Sequence, residues 1–287
     1  MWFFLTIGSA FFQATTDALT KRSLGGTDIF LVAWLRNLLT LPFLLAALFF
    51  VPIPHPDRTF YIAVAAALPL EVIATIMYTR AIQISPLSLT MPFLALTPLY
   101  LMLTSFLILG ERPSPAGAAG VAMLAAGAYL LNADTMREGG IFAPFKAAFK
   151  ERGSLLMMGV AAIFAVTSDL AKLAIMHSSP LYFTAFYLLA FSVVFTPLAL
   201  RLSKQPVSHL KGKMGGHILT GAALATTGIL QNVAVTMTQV SYMIAVKRTS
   251  LLFSIGYGYL MFREKNVRVR LLGGSVMIAG LLVMSLF

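Results

Sequence analysis

The chain has 287 residues, of which 59% are hydrophobic and only 11% charged, against roughly 45 to 50% and about 25% in soluble domains. A water-soluble enzyme is excluded, because too few charged side chains remain to wet a globule of this size. The net charge of +11 does not point to nucleic acid, since the lysines and arginines fall between apolar runs and do not line a helix face.

Apolar runs of spanning length follow one another at Trp2–Thr20, Asp28–Val51, Thr59–Ile84, Pro86–Leu109, Pro115–Asn132, Ser154–His177, Pro180–Leu202, Met214–Thr238, Val240–Phe262 and Val267–Phe287. Lipid satisfies no exposed backbone group, and none of these runs alternates with the two-residue period of a barrel strand, so ten membrane helices are predicted. The first run lacks a basic leader and is followed by Lys21 and Arg22, as expected of a retained span and not of a cleaved signal. The longest connection, 133–153, sets Phe142, Phe145 and Phe149 among Lys146, Lys150 and Arg152, a pattern open to an amphipathic surface segment or a plain linker. There is no cysteine, no phosphate-cradling GxxxxGK[ST] run and no HExxH, and His55, His177, His209 and His217 lack ligand spacing. No cofactor, no structural metal and no enzymatic chemistry are expected.

The two halves repeat at an offset of about 152 residues. Phe12-Gln-Ala-Thr-Thr-Asp17 matches Phe164-Ala-Val-Thr-Ser-Asp169, Gly110-Glu111 matches Arg263-Glu264, and Gly120 with Gly127 matches Gly273 with Gly280. Each half holds five helices, an odd number, so the second copy is inverted relative to the first. The expected organisation is a repeat over 1–132, a connection over 133–153 and a second repeat over 154–287. Basic residues concentrate after the first, fifth, seventh and ninth spans, whereas the opposite side holds only Arg58 and Arg112. That asymmetry predicts both termini outside, in a cytoplasmic (inner) membrane.

Five plus five helices, a Gly-Glu after the fourth and glycines seven apart in the fifth resemble the EamA-like branch of the drug/metabolite transporter superfamily, over essentially the whole chain. The resemblance implies a ten-helix bundle with a substrate cavity between the halves, working by alternating access without ATP. Its partners would be a small-molecule substrate and membrane lipid, with a coupling proton or counter-substrate.

Ionisable side chains within spans are costly and mark candidate function. Glu71 lies about 18 Å from either end of the third span, where a carboxyl suits proton coupling, substrate binding or an ion pair with Arg36 on the second. Lys247 and Arg248 lie roughly 10 to 12 Å inside the ninth span, and two adjacent cations at that depth require an anion. Gln231 and Asn232 fall at a similar depth on the eighth span, and Asp169 and Lys172 approach from the same face on the sixth. Arg supplies a planar fork and Lys a point charge, a pairing suited to carboxylate or phosphate, while snorkelling of the cations around Asp169 is the plainer reading. Tyr78, at the repeat position of Gln231, is a candidate substrate contact or simple packing. Val246-Lys-Arg-Thr-Ser250 is also similar to the Lys-Arg segment of triose-phosphate translocators. Those proteins add a lysine four residues before a proline in the fourth span, where this chain has Leu94 before Pro98.

Pro92 and Pro98 are expected to bend the fourth span and make it a candidate gate, while the ninth, without proline, is expected to run on. The glycines seven apart are expected to let helices approach closely. The functional expectation is secondary transport of a small polar metabolite, anionic or carboxylate-bearing, through a cavity lined by spans three, four, eight and nine. The alternatives are a proton-coupled exporter of amino acids or drug-like zwitterions and cations, a lipid-head-group flippase, and a scaffold without flux.

Overall fold

The computed structural model describes residues 1–24, 27–84, 91–130, 152–206, 214–262 and 267–285, and among these every regular element is helical. The aromatic and basic residues 142–150 of the long connection, the basic loop at 207–213 and the Arg263-Glu264 pair lie outside the described residues. Helices α1 (Trp2–Ser23), α2 (Ile29–Leu48) and α3 (Arg58–Ile84) precede a 3-10 segment (Met91–Leu96) that leads into α4 (Thr97–Leu109). Then come α5 (Pro115–Leu130), α6 (Arg152–Met176), α7 (Pro180–Leu202), α8 (Met214–Val235), α9 (Val240–Lys247), α10 (Ser250–Phe262) and α11 (Val267–Ser285). The ten spans stand where the apolar runs put them, with the fourth and ninth each in two pieces. Helices α2, α3, α6, α7 and α8 are each long and apolar enough to cross a membrane.

Local chemistry sets the helix starts. Asp28, in extended conformation, accepts the Phe30 and Leu31 amides at 2.8 and 3.4 Å and begins α2. Ser179 accepts the Tyr182 amide at 3.4 Å, and Pro180, whose missing amide would be unpaired there anyway, opens α7. Within the spans, hydroxyls turn back on their own helices: Thr16 donates to the Phe12 carbonyl at 2.9 Å, Thr40 to Arg36 at 2.8 Å and Thr227 to Ala223 at 2.9 Å. A hydroxyl partnered in this way sits in an apolar span without exposing an unmet donor to lipid.

The chain forms two compact units, and neither coincides with a sequence repeat. The first comprises Met1–Leu68 and Ala171–Met237; the second comprises Pro69–Leu170 and Thr238–Phe287. In the first, α8 packs on α1 and α2 through small residues. The Ser9 hydroxyl donates to the Thr227 carbonyl at 3.1 Å, and a methyl on Gly221 would lie 2.7 Å from the Leu39 carbonyl oxygen. The Trp34 indole donates to Thr196 at 3.0 Å and ties α2 to α7. In the second unit, α5 and α11 meet along a glycine seam, where a methyl on Gly280 would fall 3.0 Å from the Gly120 carbonyl and 2.9 Å from the Leu124 nitrogen. The fifth helices of the two repeats therefore touch each other, as small residues permit.

Gly221→Ala is expected to lower the thermal stability of the detergent-purified protein by roughly 1 to 3 kcal/mol, because the obstacle is backbone and cannot rotate aside. Gly215→Ala, with nothing within 4 Å of the added carbon, serves as the neutral control in the same unfolding measurement.

Candidate functional site

The interruption of the fourth span follows from its prolines. Pro98 has no amide to give the Leu94 carbonyl four residues back, and the backbone tightens into a 3-10 turn over Met91–Leu96 before α4 begins. The Leu94 carbonyl accepts the Thr97 hydroxyl at 2.8 Å. The ninth span is also interrupted, which corrects the expectation that it runs on for want of a proline. Its amides slip to partners three residues back: Thr249 to Val246 at 3.0 Å, Leu251 to Arg248 at 3.0 Å and Leu252 to Thr249 at 2.9 Å. The Thr249 hydroxyl also takes the Val246 carbonyl at 2.8 Å, so a side chain competes with the helix for its own acceptor. The two interruptions sit at repeat-related positions, and they touch. An Nη of Arg248 donates to the Thr97 oxygen at 2.9 Å.

Other polar side chains of the second unit gather on the same elements. Glu71 on α3 is half-buried and lies within the electrostatic reach of Thr167 on α6 and of Lys247. Asp169 on α6 is fully buried, and the Ser105 hydroxyl on α4 donates to its Oδ1 at 2.6 Å. Ser105 is tied down twice. Gly110 turns left-handed at φ 70° and ends α4, and the Glu111 amide reaches back to the Ser105 carbonyl at 3.2 Å. That turn sends Glu111 onto the start of α9, where its carboxylate accepts the Val240 amide at 2.9 Å. Gln239 donates to the Arg112 carbonyl at 3.0 Å, and the Tyr242 phenol oxygen accepts the Ser114 amide at 2.8 Å, over Gly117, where a methyl would collide with the ring. The Gly-Glu pair thus works as a cap on the half-helix that carries Lys247.

The comparisons with known proteins agree with this architecture. The model of the EamA-like transporter family matches residues 1–133 and 151–286. The chain belongs to the EamA-like transporter family. A solved crystal structure of a protein 19% identical superposes with a TM-score of 0.76, covers 99% of this chain and 96% of its own, and shares the fold. No curated protein matches. The molecule is therefore a multi-pass membrane transporter of the drug/metabolite type, with a small-molecule substrate and a lipid surround.

The transporter brings Glu71, Asp169, Lys247 and Arg248 into one unit, with Thr97, Ser105 and Thr167, which the sequence reading missed. Thr97 had a readable signal: it precedes a proline that strands a carbonyl. Ser105 and Thr167 had none beyond being hydroxyls in apolar spans. Lys172, Gln231, Asn232 and Arg36 lie in the first unit. There Asn232 is buried and donates to Thr184 at 2.7 Å, joining α8 to α7, with Gln231 and Lys172 half-buried on α8 and α6. Arg36 is half-buried on α2, and its Nε meets no hydrogen-bond partner among the described residues. Tyr78, in the second unit, packs against the cluster of Ala81, Phe93, Met157 and Val160. The reading also missed a loop pair in the first unit, where Asp57 accepts the Phe60 amide at 3.1 Å and lies 2.7 Å from His177 Nδ1. The Phe60 amide, and after it His177, hold the Asp57 carboxyl below its ordinary value.

Three outcomes follow for the transporter. Gly110→Ala is expected to cost about 1 kcal/mol from the left-handed turn, and Glu111→Ala about 1 kcal/mol from the lost cap, both read as lowered melting temperature in detergent. For Asp57, a carboxyl depressed in the folded state contributes stability above the ordinary carboxylate range and loses it as pH falls through the folded value. Asp57→Ala should therefore melt below wild type at pH 7, and the gap should close as both are titrated below about pH 4.

Proposed function

We propose that this transporter carries a small polar organic anion, bearing a carboxylate or phosphate, by alternating access, and that Lys247 and Arg248 grip its negative group. The observation that carries the reading is the interruption of the ninth span at these two residues. Cations inside a span need an anionic partner, and discontinuous helices in secondary transporters frame their substrate and coupling-ion sites. Arg248 reaches the neutral Thr97 hydroxyl oxygen, and the Asp169 carboxylate accepts the Ser105 hydroxyl. A substrate oxyanion is the ligand whose charge matches the pair, with the guanidinium supplying the fork and the ammonium the point charge.

A second reading has its own observation. Glu71 stands in the electrostatic field of Lys247, so a zwitterion would meet Lys247 with its carboxylate and Glu71 with its ammonium, and Glu71 would carry the coupling proton of an exporter of amino acids or similar compounds. In both readings the protein is two inverted five-helix repeats in a cytoplasmic membrane, with basic loops facing the cytoplasm.

The deciding measurement is thermal stability of the purified transporter against phosphoglycerate, succinate, inorganic phosphate, alanine and a cationic amine, for wild type and Lys247→Gln. A ligand of the folded state at a hundredfold excess over its Kd raises stability by about 2.7 kcal/mol. Anions are expected to stabilise wild type and not the variant. Stabilisation of both proteins by amines alone would overturn the anion reading.

A further inference from the structure

We infer that Thr97 and Pro98 together form a positioning device for Arg248, fixing the guanidinium from the fourth span so that it meets the substrate's oxyanion in one orientation. The inference rests on the anion reading above and adds to it residues on a different span.

The argument runs through one proton. A threonine hydroxyl can donate or accept toward a neighbour, and a guanidinium can only donate. Arg248 therefore gains a partner in Thr97 only if the hydroxyl proton points elsewhere. In a continuous helix the amide of residue 98 would occupy the Leu94 carbonyl. Proline at that position withholds that amide, and the Thr97 hydroxyl donates to the carbonyl at 2.8 Å. The lone pairs of the same oxygen then face Arg248, whose Nη donates at 2.9 Å. Thr97 is buried, so water does not compete for either bond. Pro98 favours this orientation by withholding the amide that would otherwise share the carbonyl. Leu94, where the phosphate translocators carry a lysine, contributes its carbonyl in place of a charge. The fourth span acts on the anion through the ninth, by holding a cation and not by supplying one.

Orientation matters because a fork matches an oxyanion in few geometries, and a guanidinium free to rotate spreads its donors over many. Removing the acceptor should therefore weaken anion binding more than it alters the folded protein. The test uses the full chain in detergent, with inorganic phosphate and succinate as probes. Relative to wild type, Thr97→Val is expected to raise the apparent Kd of whichever probe binds by about tenfold, in line with a hydrogen bond to a charged group. Thr97→Ser should stay within about twofold, and Pro98→Ala, which restores an amide to compete for the Leu94 carbonyl, should weaken binding several-fold. A second readout needs no ligand. In protein labelled with 15N-arginine, the Arg248 Nη signals, assigned by their loss in Arg248→Gln, should be resolved in wild type and merge in Thr97→Val.

Resolved Nη signals and an unchanged Kd in Thr97→Val, beside lost binding in Arg248→Gln, would overturn the positioning role and leave the anion site standing. Anion binding that survives in Arg248→Gln, or neither probe binding wild type, would overturn the anion site and this inference with it. A merely structural role for Thr97 predicts a lower melting temperature in Thr97→Val with Kd and Nη signals unmoved.

Discussion

A backbone amide or carbonyl in lipid has no water to turn to, and around the fourth and ninth spans departures from a regular helix are answered by specific side chains or turns. Where Pro98 withholds an amide, Thr97 supplies a hydroxyl. Where α4 ends, Gly110 takes a left-handed conformation that lets the Glu111 amide close on Ser105. Where α9 begins, the Glu111 carboxylate meets the Val240 amide. These answers are linked residue to residue, so the interruption of the fourth span, the cap of the ninth and the setting of Lys247 and Arg248 belong to one chain of local requirements within the second unit.

The same requirement separates hydroxyls that serve their own helix from those that join two elements. A hydroxyl that bonds its own helix, as Thr16, Thr40 and Thr227 do, is invisible to the rest of the protein. A hydroxyl that reaches another element is not: Ser105 to Asp169, Thr184 from Asn232, and Thr97 from Arg248. Thr97 does both at once, which is why it can link a proline to an arginine on a different span.

Much of the fold was legible because hydropathy reports directly on immersion in lipid, and the ten spans ended within a few residues of their apolar runs. The repeat was legible through landmarks with a geometric purpose, Gly110-Glu111 as a turn and a cap, and Gly120 with Gly280 as a seam. Of the candidate residues, Lys247, Arg248, Glu71 and Asp169 could be singled out because charge in an apolar span is conspicuous. Thr97, Ser105 and Thr167 were not, since a hydroxyl facing a partner and one facing its own helix look the same in sequence. The break in the ninth span was missed because proline was taken as the signal for a break, whereas Thr249 makes one with a side chain. Tyr78, open in sequence between a substrate contact and packing, stands against the cluster of Ala81, Phe93, Met157 and Val160.

The division into units has a consequence for biosynthesis. The first unit needs residues 171–237 to complete what 1–68 begins, and the second needs 238–287 to complete 69–170. Neither body can close while only the first repeat has left the ribosome, so the early spans must wait in the bilayer as individually stable helices for partners made much later. Cutting the gene between the repeats would yield two products, each holding part of both bodies and the whole of neither.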